Sequence, residues 1–384
     1  MSESGGAKTG AGRLDWLDST RGLSILWIAC FHFLIAYDTG RYPWPVSFSS
    51  LAAFVEKCSG LPGRGCLSCA AEGAVAGLFQ RGPHAVGVFL ALSGFGLAFS
   101  LARVETGFPE GGWRRWYWAR LVRLFPMYWL AHLVYLFSPF MLKPDPVDWR
   151  FGLSFLGDRV WPIDRVFYYA NPAWWFFGLL LELYLVFPLL HRAMVRLGPG
   201  AYLTVCGLVT VGSRLALTEG LRAHGNWIQG AFFGGRLFEF AAGMVLGRMF
   251  RAFPEAVERR FFSLPALLTG LALYAAGVAC YRPGWTLALS DGLIGVGLLL
   301  VLARVARMLN ALAPLRRILV YAGAYSYGVY LLHQPYVMYI GGRLSALGMP
   351  AALTVLCFVL AVIVCGSSLA EKSLNRITGR SSGR

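Results

Sequence analysis

Arg21 and His32 stand eleven positions apart in STRGLSILWIACFHFLIAYD, Ser19 to Asp38, a stretch otherwise almost wholly apolar between Arg21 and Asp38. At about 3.6 residues per turn, eleven residues make nearly three full turns, so both side chains share one helical face. At about 1.5 Å per residue, the imidazole lies about 16 Å further along that face than the guanidinium. An ionisable ring at that depth in an apolar segment is costly, and such groups usually face a cavity. The chemistry open to it is general base catalysis on an acceptor hydroxyl. The bland reading is a histidine hydrogen-bonded to a carbonyl of a neighbouring helix.

A second stretch, GGWRRWYWARLVRLFPMYWL from Gly111, interleaves Arg114, Arg115, Arg120 and Arg123 with Trp113, Trp116, Tyr117 and Trp118. Arg120 and Arg123 are three apart and share a face. Two guanidinium forks there can clamp phosphates bidentately, and tryptophans such as Trp116 can stack on a purine, with Arg115 close by. The competing reading is an ordinary basic anchor with an aromatic belt. Glu182, in NPAWWFFGLLLELYLVFPLL, is a carboxylate in an apolar run. In lipid it must be protonated, paired or facing water, so catalysis and structural pairing fit it equally. Arg236 and Glu239, three apart, are expected to pair within one helix. His333, in YSYGVYLLHQPYV, has Tyr327, Tyr330 and Tyr336 near enough to satisfy it as a structural histidine. His132 lies in a span with nothing to position it, and His84, His191 and His224 fall at span ends or in loops. None has metal-ligand spacing, so no metal is expected. No nucleophile elbow, phosphate-binding loop or dinucleotide-binding glycine cluster stands in a credible context.

The elements that must position these residues follow from composition. The 384-residue chain is 57% hydrophobic and 14% charged, with mean hydropathy +0.56. Long apolar blocks separated by short basic or Pro/Gly-rich stretches predict an all-α, polytopic helical membrane protein. Continuous rather than alternating blocks argue against a transmembrane barrel. Ten spans are expected: 22–38, 84–101, 124–142, 172–190, 200–217, 231–247, 263–281, 286–303, 318–340 and 350–370, the weakest being 200–217 with Arg214 inside it. The net charge of +16 then reads as sidedness rather than nucleic-acid binding, because 22 lysines and arginines fall on one set of gaps and 12 on the other. Both termini are expected on the basic, cytoplasmic side.

The predicted organisation is an N-terminal tail and helix start over 1–21, one transmembrane domain over 22–370 and a basic tail over 371–384, with the first apolar block a retained anchor. Five cysteines fall in spans, where they pack as small polarizable residues. Cys58, Cys66 and Cys69 share the first outside loop. The C-x-x-C of Cys66 and Cys69 lacks a second pair, so zinc is weak and a disulfide on an oxidising face fits better.

Together these residues sketch a basic, aromatic face where a phosphate-rich donor docks and a histidine aligned above it, within reach of a thin arm. A multi-span transporter or flippase for a lipid-linked sugar is the rival, since such proteins also bury His, Glu and Arg. It usually carries inverted repeats, and no repeat is visible here.

In LDSTRGLSILWIACFHF, VGVFLALSGFGLAFS, RRWYWARLVRLFPMYW, WFFGLLLELYLVFPLL, RLFEFAAGMVLG and YSYGVYLLHQP, the chain resembles acyltransferase family 3, membrane proteins that O-acylate bacterial surface sugars and some secondary metabolites. The six stretches stand in that family's order along nearly the whole chain. The resemblance implies an arginine–histidine opening motif in Arg21 and His32, and an Arg-x-x-Arg pair in Arg120 and Arg123. It implies ten spans in a bacterial inner membrane and acetyl-CoA or another acyl-CoA as cytoplasmic donor. A carbohydrate or glycoconjugate hydroxyl is the implied acceptor, His32 is essential, and Arg21, Arg120 and Arg123 serve donor binding or catalysis. Glu182 falls in a block whose polar residue varies within the family. The loop carrying Cys58, Cys66 and Cys69 is longer than the family pattern implies, which bears on the acceptor rather than the chemistry.

Overall fold

A computed structural model describes residues 14–102, 108–140, 145–223, 225–282 and 284–378. His224, Lys8, Arg13, Arg103, Lys143, Arg380 and Arg384 lie outside the described residues. Among the described residues every regular element is helical. The helices are α1 (Asp15–Tyr37), α2 (Phe48–Ser59), α3 (Cys66–Gln80), α4 (Ala85–Leu101), α5 (Gly112–Phe137), α6 (Trp149–Leu156), α7 (Ile163–Val166) and α8 (Trp175–Leu215). They continue with α9 (Leu237–Ala252), α10 (Pro254–Phe261), α11 (Leu264–Cys280), α12 (Leu287–Leu309), α13 (Ala313–Ala324), α14 (Ser326–Arg343) and α15 (Met349–Ile377). The protein is an all-α polytopic membrane protein, as its apolar blocks predict: without water, each backbone amide is satisfied inside its own helix.

Among the described residues, five helical runs are long and apolar enough to cross a membrane: Asp15–Tyr37, Cys66–Leu101, Pro172–Gly220, Leu287–Leu309 and Met349–Ile377. A sixth is gained if α10 and α11, bent by 57° against each other, count as one span. The expected ten are not all distinguished on this measure, for three local reasons. The spans 172–190 and 200–217 belong to one helical run, broken only at Gly198, whose φ of 75° departs from the helix before Pro199. The block 124–142 shares α5 with four arginines, and 318–340 is divided at Tyr325 between α13 and α14. The expected tail boundaries fall inside helices: Arg21 is already on α1, and α15 continues past residue 370 to Ile377.

Lipid gives helices no hydrophobic drive to associate, so close backbone approach through small residues does that work. A Cβ on Gly243 would stand 1.8 Å from the Ala91 carbonyl oxygen, and one on Gly247 2.4 Å from that of Phe95. This small-xxx-small pair locks α9 against α4. The first helix is fixed twice. A Cβ on Gly22 would meet the Leu319 carbonyl at 2.1 Å, and one on Gly323 the Asp18 carbonyl at 1.7 Å. At the other end, a Cβ on Gly341 would meet the Phe33 carbonyl at 2.6 Å. Thus α13 and α14 hold α1 near both termini, and the arginine–histidine face with it.

Two polar clusters outside the site complete the frame. Arg214 and Arg236 each reach Asp291 Oδ2 at 2.6 Å, and Arg236 Nε lies 3.2 Å from Glu239 Oε1. The expected Arg236–Glu239 pair is thus half of a neutral quartet joining α8, α9 and α12. In the stretch between α1 and α4, Cys58 is bonded to Cys69, tying α2 to α3, while Cys66 is free and exposed. The bond therefore uses one member of the C-x-x-C and a distant partner. Arg64 adds a bidentate pair to Glu72 at 2.6 and 3.1 Å.

Candidate active site

A cavity of about 1110 Å³ opens beside α1 and is lined by α1, α4, α5, α8, α14 and α15. Its lining on α1 extends from Leu17 to Ile35, a rise of about 27 Å. At one end Arg21, Arg120 and Arg123 all face it. Asp18 tempers Arg21 at 3.4 Å, and Arg21 Nη2 also reaches the Leu92 carbonyl at 3.5 Å. Arg120 lies over the Trp116 ring at 5.2 Å from its centroid. Three arginines and the carboxylates Asp18 and Glu371 line that opening. Glu371 Oε1 accepts from the Gly328 amide at 2.9 Å.

Midway along the cavity are His32 and His333. His333 Nε2 lies 3.1 Å from His32 Nδ1, a contact between residues 301 apart in sequence. His333 is wholly buried, and its Nδ1 lies 3.0 Å from the Val329 carbonyl and 2.8 Å from that of Tyr330. Beyond the pair, the far end is bounded by Ile35, Pro83, Trp175 and Phe176, with Tyr168 and Gln229 hydrogen-bonded to each other.

The turn that carries His333 is held by its neighbours for a local reason. Pro335 has no N–H, so the carbonyl four residues back, that of Leu331, loses its helical partner. The side chains of Asn171 and Trp174 donate to it instead, at 3.0 and 2.9 Å. The Ala173 amide donates to Gln334 Oε1 at 2.5 Å, and the Tyr330 hydroxyl donates to the Ala173 carbonyl at 2.7 Å. The NPAW stretch before α8 and the HQP stretch of α14 are therefore two halves of one clamp.

A model of a family described as an acyltransferase domain matches residues 14–370, nearly the whole chain. The chain belongs to acyltransferase family 3. No curated protein and no solved structure matches it.

In this acyltransferase the cavity gathers four of the residues singled out by sequence: Arg21, His32, Arg120 and Arg123. It does not gather the other three. Glu182 is off the lining, and its Oε2 accepts from the Phe233 amide at 2.7 Å, where the chain enters α9. Trp116 is buried and stacked on Phe187, with ring centroids 5.1 Å apart and planes 6° apart, so its faces are not open to a purine. Arg115 is exposed and lies off the lining.

Three residues were undervalued from sequence. His333, expected among tyrosines, faces His32 instead. His132, expected to lack positioning, is locked: Nε2 lies 2.7 Å from Ser154 Oγ, Nδ1 2.9 Å from the Tyr128 carbonyl, and the ring stacks on Trp174. Arg159, between α6 and α7 and not singled out by its sequence context, is 1% exposed and donates to Tyr128, Ser154, Val166 and Tyr169. Among the described residues, no group of three or more His, Cys, Asp or Glu is placed to hold a metal ion.

Proposed function

We propose that this membrane acyltransferase takes acetyl or a similar short acyl group from CoA and esterifies a hydroxyl of a carbohydrate or glycosylated acceptor. The observation that carries this reading is one continuous cavity with three arginines at one end and an imidazole about 16 Å further along the same helix. A donor with phosphates at one end and a thioester at the end of a thin arm matches that separation. Arg120 and Arg123 are its phosphate ligands, bidentate and always charged, with Arg21 beside them at the mouth. The basic end faces the cytoplasm of a bacterial inner membrane, with both termini on that side.

His32 acts as general base. It removes the proton from the acceptor hydroxyl as the oxygen attacks the thioester carbonyl; the carbon–sulfur bond then breaks, and the leaving thiolate of CoA recovers that proton. The acceptor comes from the far end, past the Tyr168–Gln229 pair, and aromatic walls such as Trp175 and Phe176 suit the apolar faces of a sugar ring.

The test is purified protein in lipid nanodiscs with labelled acetyl-CoA and a bacterial glycolipid extract. Label appears on a glycan with release of CoA, and His32→Ala at matched expression loses transfer by about 100-fold or more, the scale of a positioned base. Undiminished transfer in that variant removes His32 from the mechanism, and label left wholly on CoA removes the donor assignment.

A further inference from the structure

The two imidazoles form an ordered chain, and its direction can be read from which atoms only accept. Carbonyl oxygens have no proton to give. The Val329 and Tyr330 carbonyls, 3.0 and 2.8 Å from His333 Nδ1, therefore require the proton of that ring on Nδ1. A neutral imidazole has one N–H, so His333 Nε2 is left with a lone pair. That lone pair faces His32 Nδ1 at 3.1 Å, and a hydrogen bond there needs the His32 proton on Nδ1. The remaining nitrogen of His32, Nε2, then carries a lone pair.

We infer that His333 is a positioning residue for the reaction: it fixes His32 in the Nδ1–H tautomer and so presents Nε2 as the basic nitrogen of the site. The inference rests on the reading of His32 as the base, and it adds what makes that base competent. An unconstrained imidazole divides between two tautomers, and only one presents a lone pair at a given place. His333 plays toward His32 the part that a carboxylate plays in a serine hydrolase triad, with two differences. It is neutral, so no second buried charge has to be compensated. It is also held by carbonyls of its own helix, and that helix turn is clamped to the start of α8 through Asn171, Ala173 and Trp174. When His32 takes the acceptor's proton at Nε2, its Nδ1–H bond to His333 becomes charge-assisted and strengthens. The proton on His333 stays on Nδ1 throughout, because its carbonyl partners cannot receive it.

The direct measurement is the 15N spectrum of histidine-labelled full-length protein in lipid nanodiscs, with the His32 and His333 signals assigned from His32→Gln and His333→Gln. Both rings are expected protonated at Nδ1 and bare at Nε2. A His32 ring protonated at Nε2 overturns the inference, whatever the protein's activity. Kinetics supply the second arm, with acetyl-CoA as donor. In His333→Leu, kcat is expected to fall about 100-fold or more, up to the roughly 10⁴-fold that a wrong tautomer costs in a triad, with KM for acetyl-CoA within about 2-fold. His333→Gln, whose side-chain oxygen accepts from His32 Nδ1, is expected within about 10-fold of the parent, because the restored acceptor restores the tautomer. Equal loss in the Leu and Gln variants overturns the positioning role. Absence of any acyl transfer by the unaltered protein, with the expected spectrum, strikes at the proposed reaction and leaves the ordered pair standing.

Discussion

On one flank of the bundle Arg214 and Arg236 converge on Asp291, with Glu239 beside them; at the basic end of the cavity Arg21, Arg120 and Arg123 line its wall. Both groups sit in apolar surroundings and are built from the same residue types. In the first, two cations meet two carboxylates at contact distance, and the charge is cancelled before any ligand arrives. In the second, the guanidinium of Arg21 has a single carboxylate at 3.4 Å, and Arg120 and Arg123 reach the cavity surface. A buried charge in a membrane protein thus says little about function by itself. What separates the two groups here is that the arginines of the second line a cavity and those of the first do not.

Four substitutions can break or sharpen that contrast. The largest effect is expected at Asp291, whose removal leaves two buried arginines facing each other. Asp291→Ala should cost about 3–5 kcal/mol, read as a loss of thermal stability in detergent with KM for acyl-CoA unchanged in the folded fraction. An intact melting temperature would show that the quartet is not structural. Next, Arg120→Ala and Arg123→Ala should each weaken donor binding by about 1.5–3 kcal/mol, the scale of a hydrogen bond to a charged group. The readout is KM for acyl-CoA, higher in each variant, with the melting temperature held. A fall in stability with KM unchanged would move these two arginines into the frame. The smallest effect belongs to Arg115, exposed and off the cavity: Arg115→Ala should stay within about 0.5 kcal/mol of the parent in stability and in donor binding. A donor defect there would extend the anion site onto the outer turn of α5.

The face that carries Arg21 and His32 was legible because helical period alone aligns residues eleven apart, and the Arg120–Arg123 pair for the same reason. Partners far along the chain were not. His32 and His333 meet across 301 positions, and nothing local to either ring indicates the other. Pro335 did carry a signal, since a helix interior proline frees the carbonyl four residues before it, but the identity of the groups that answer, Asn171 and Trp174, depends on packing. The cysteine loop follows the same rule. Three thiols in one loop allow three pairings, and the geometry of α2 against α3 selects Cys58 with Cys69. Span counting is least distinct where charge dilutes hydropathy: four arginines lower the apolar average of α5, and two of them, Arg120 and Arg123, line the cavity.

The glycine crossings of α1 carry a consequence for how the protein works. A pump that exposes its centre to one side and then the other needs a helix free to slide or rock against its neighbours. Here the backbone of α1 touches α13 near Gly22 and Gly323 and α14 near Gly341, with no side chains between to act as bearings. The helix is bolted at both ends. A mechanism that needs α1 to slide or rock is therefore closed to it, and the face carrying Arg21 and His32 keeps its place against α13 and α14.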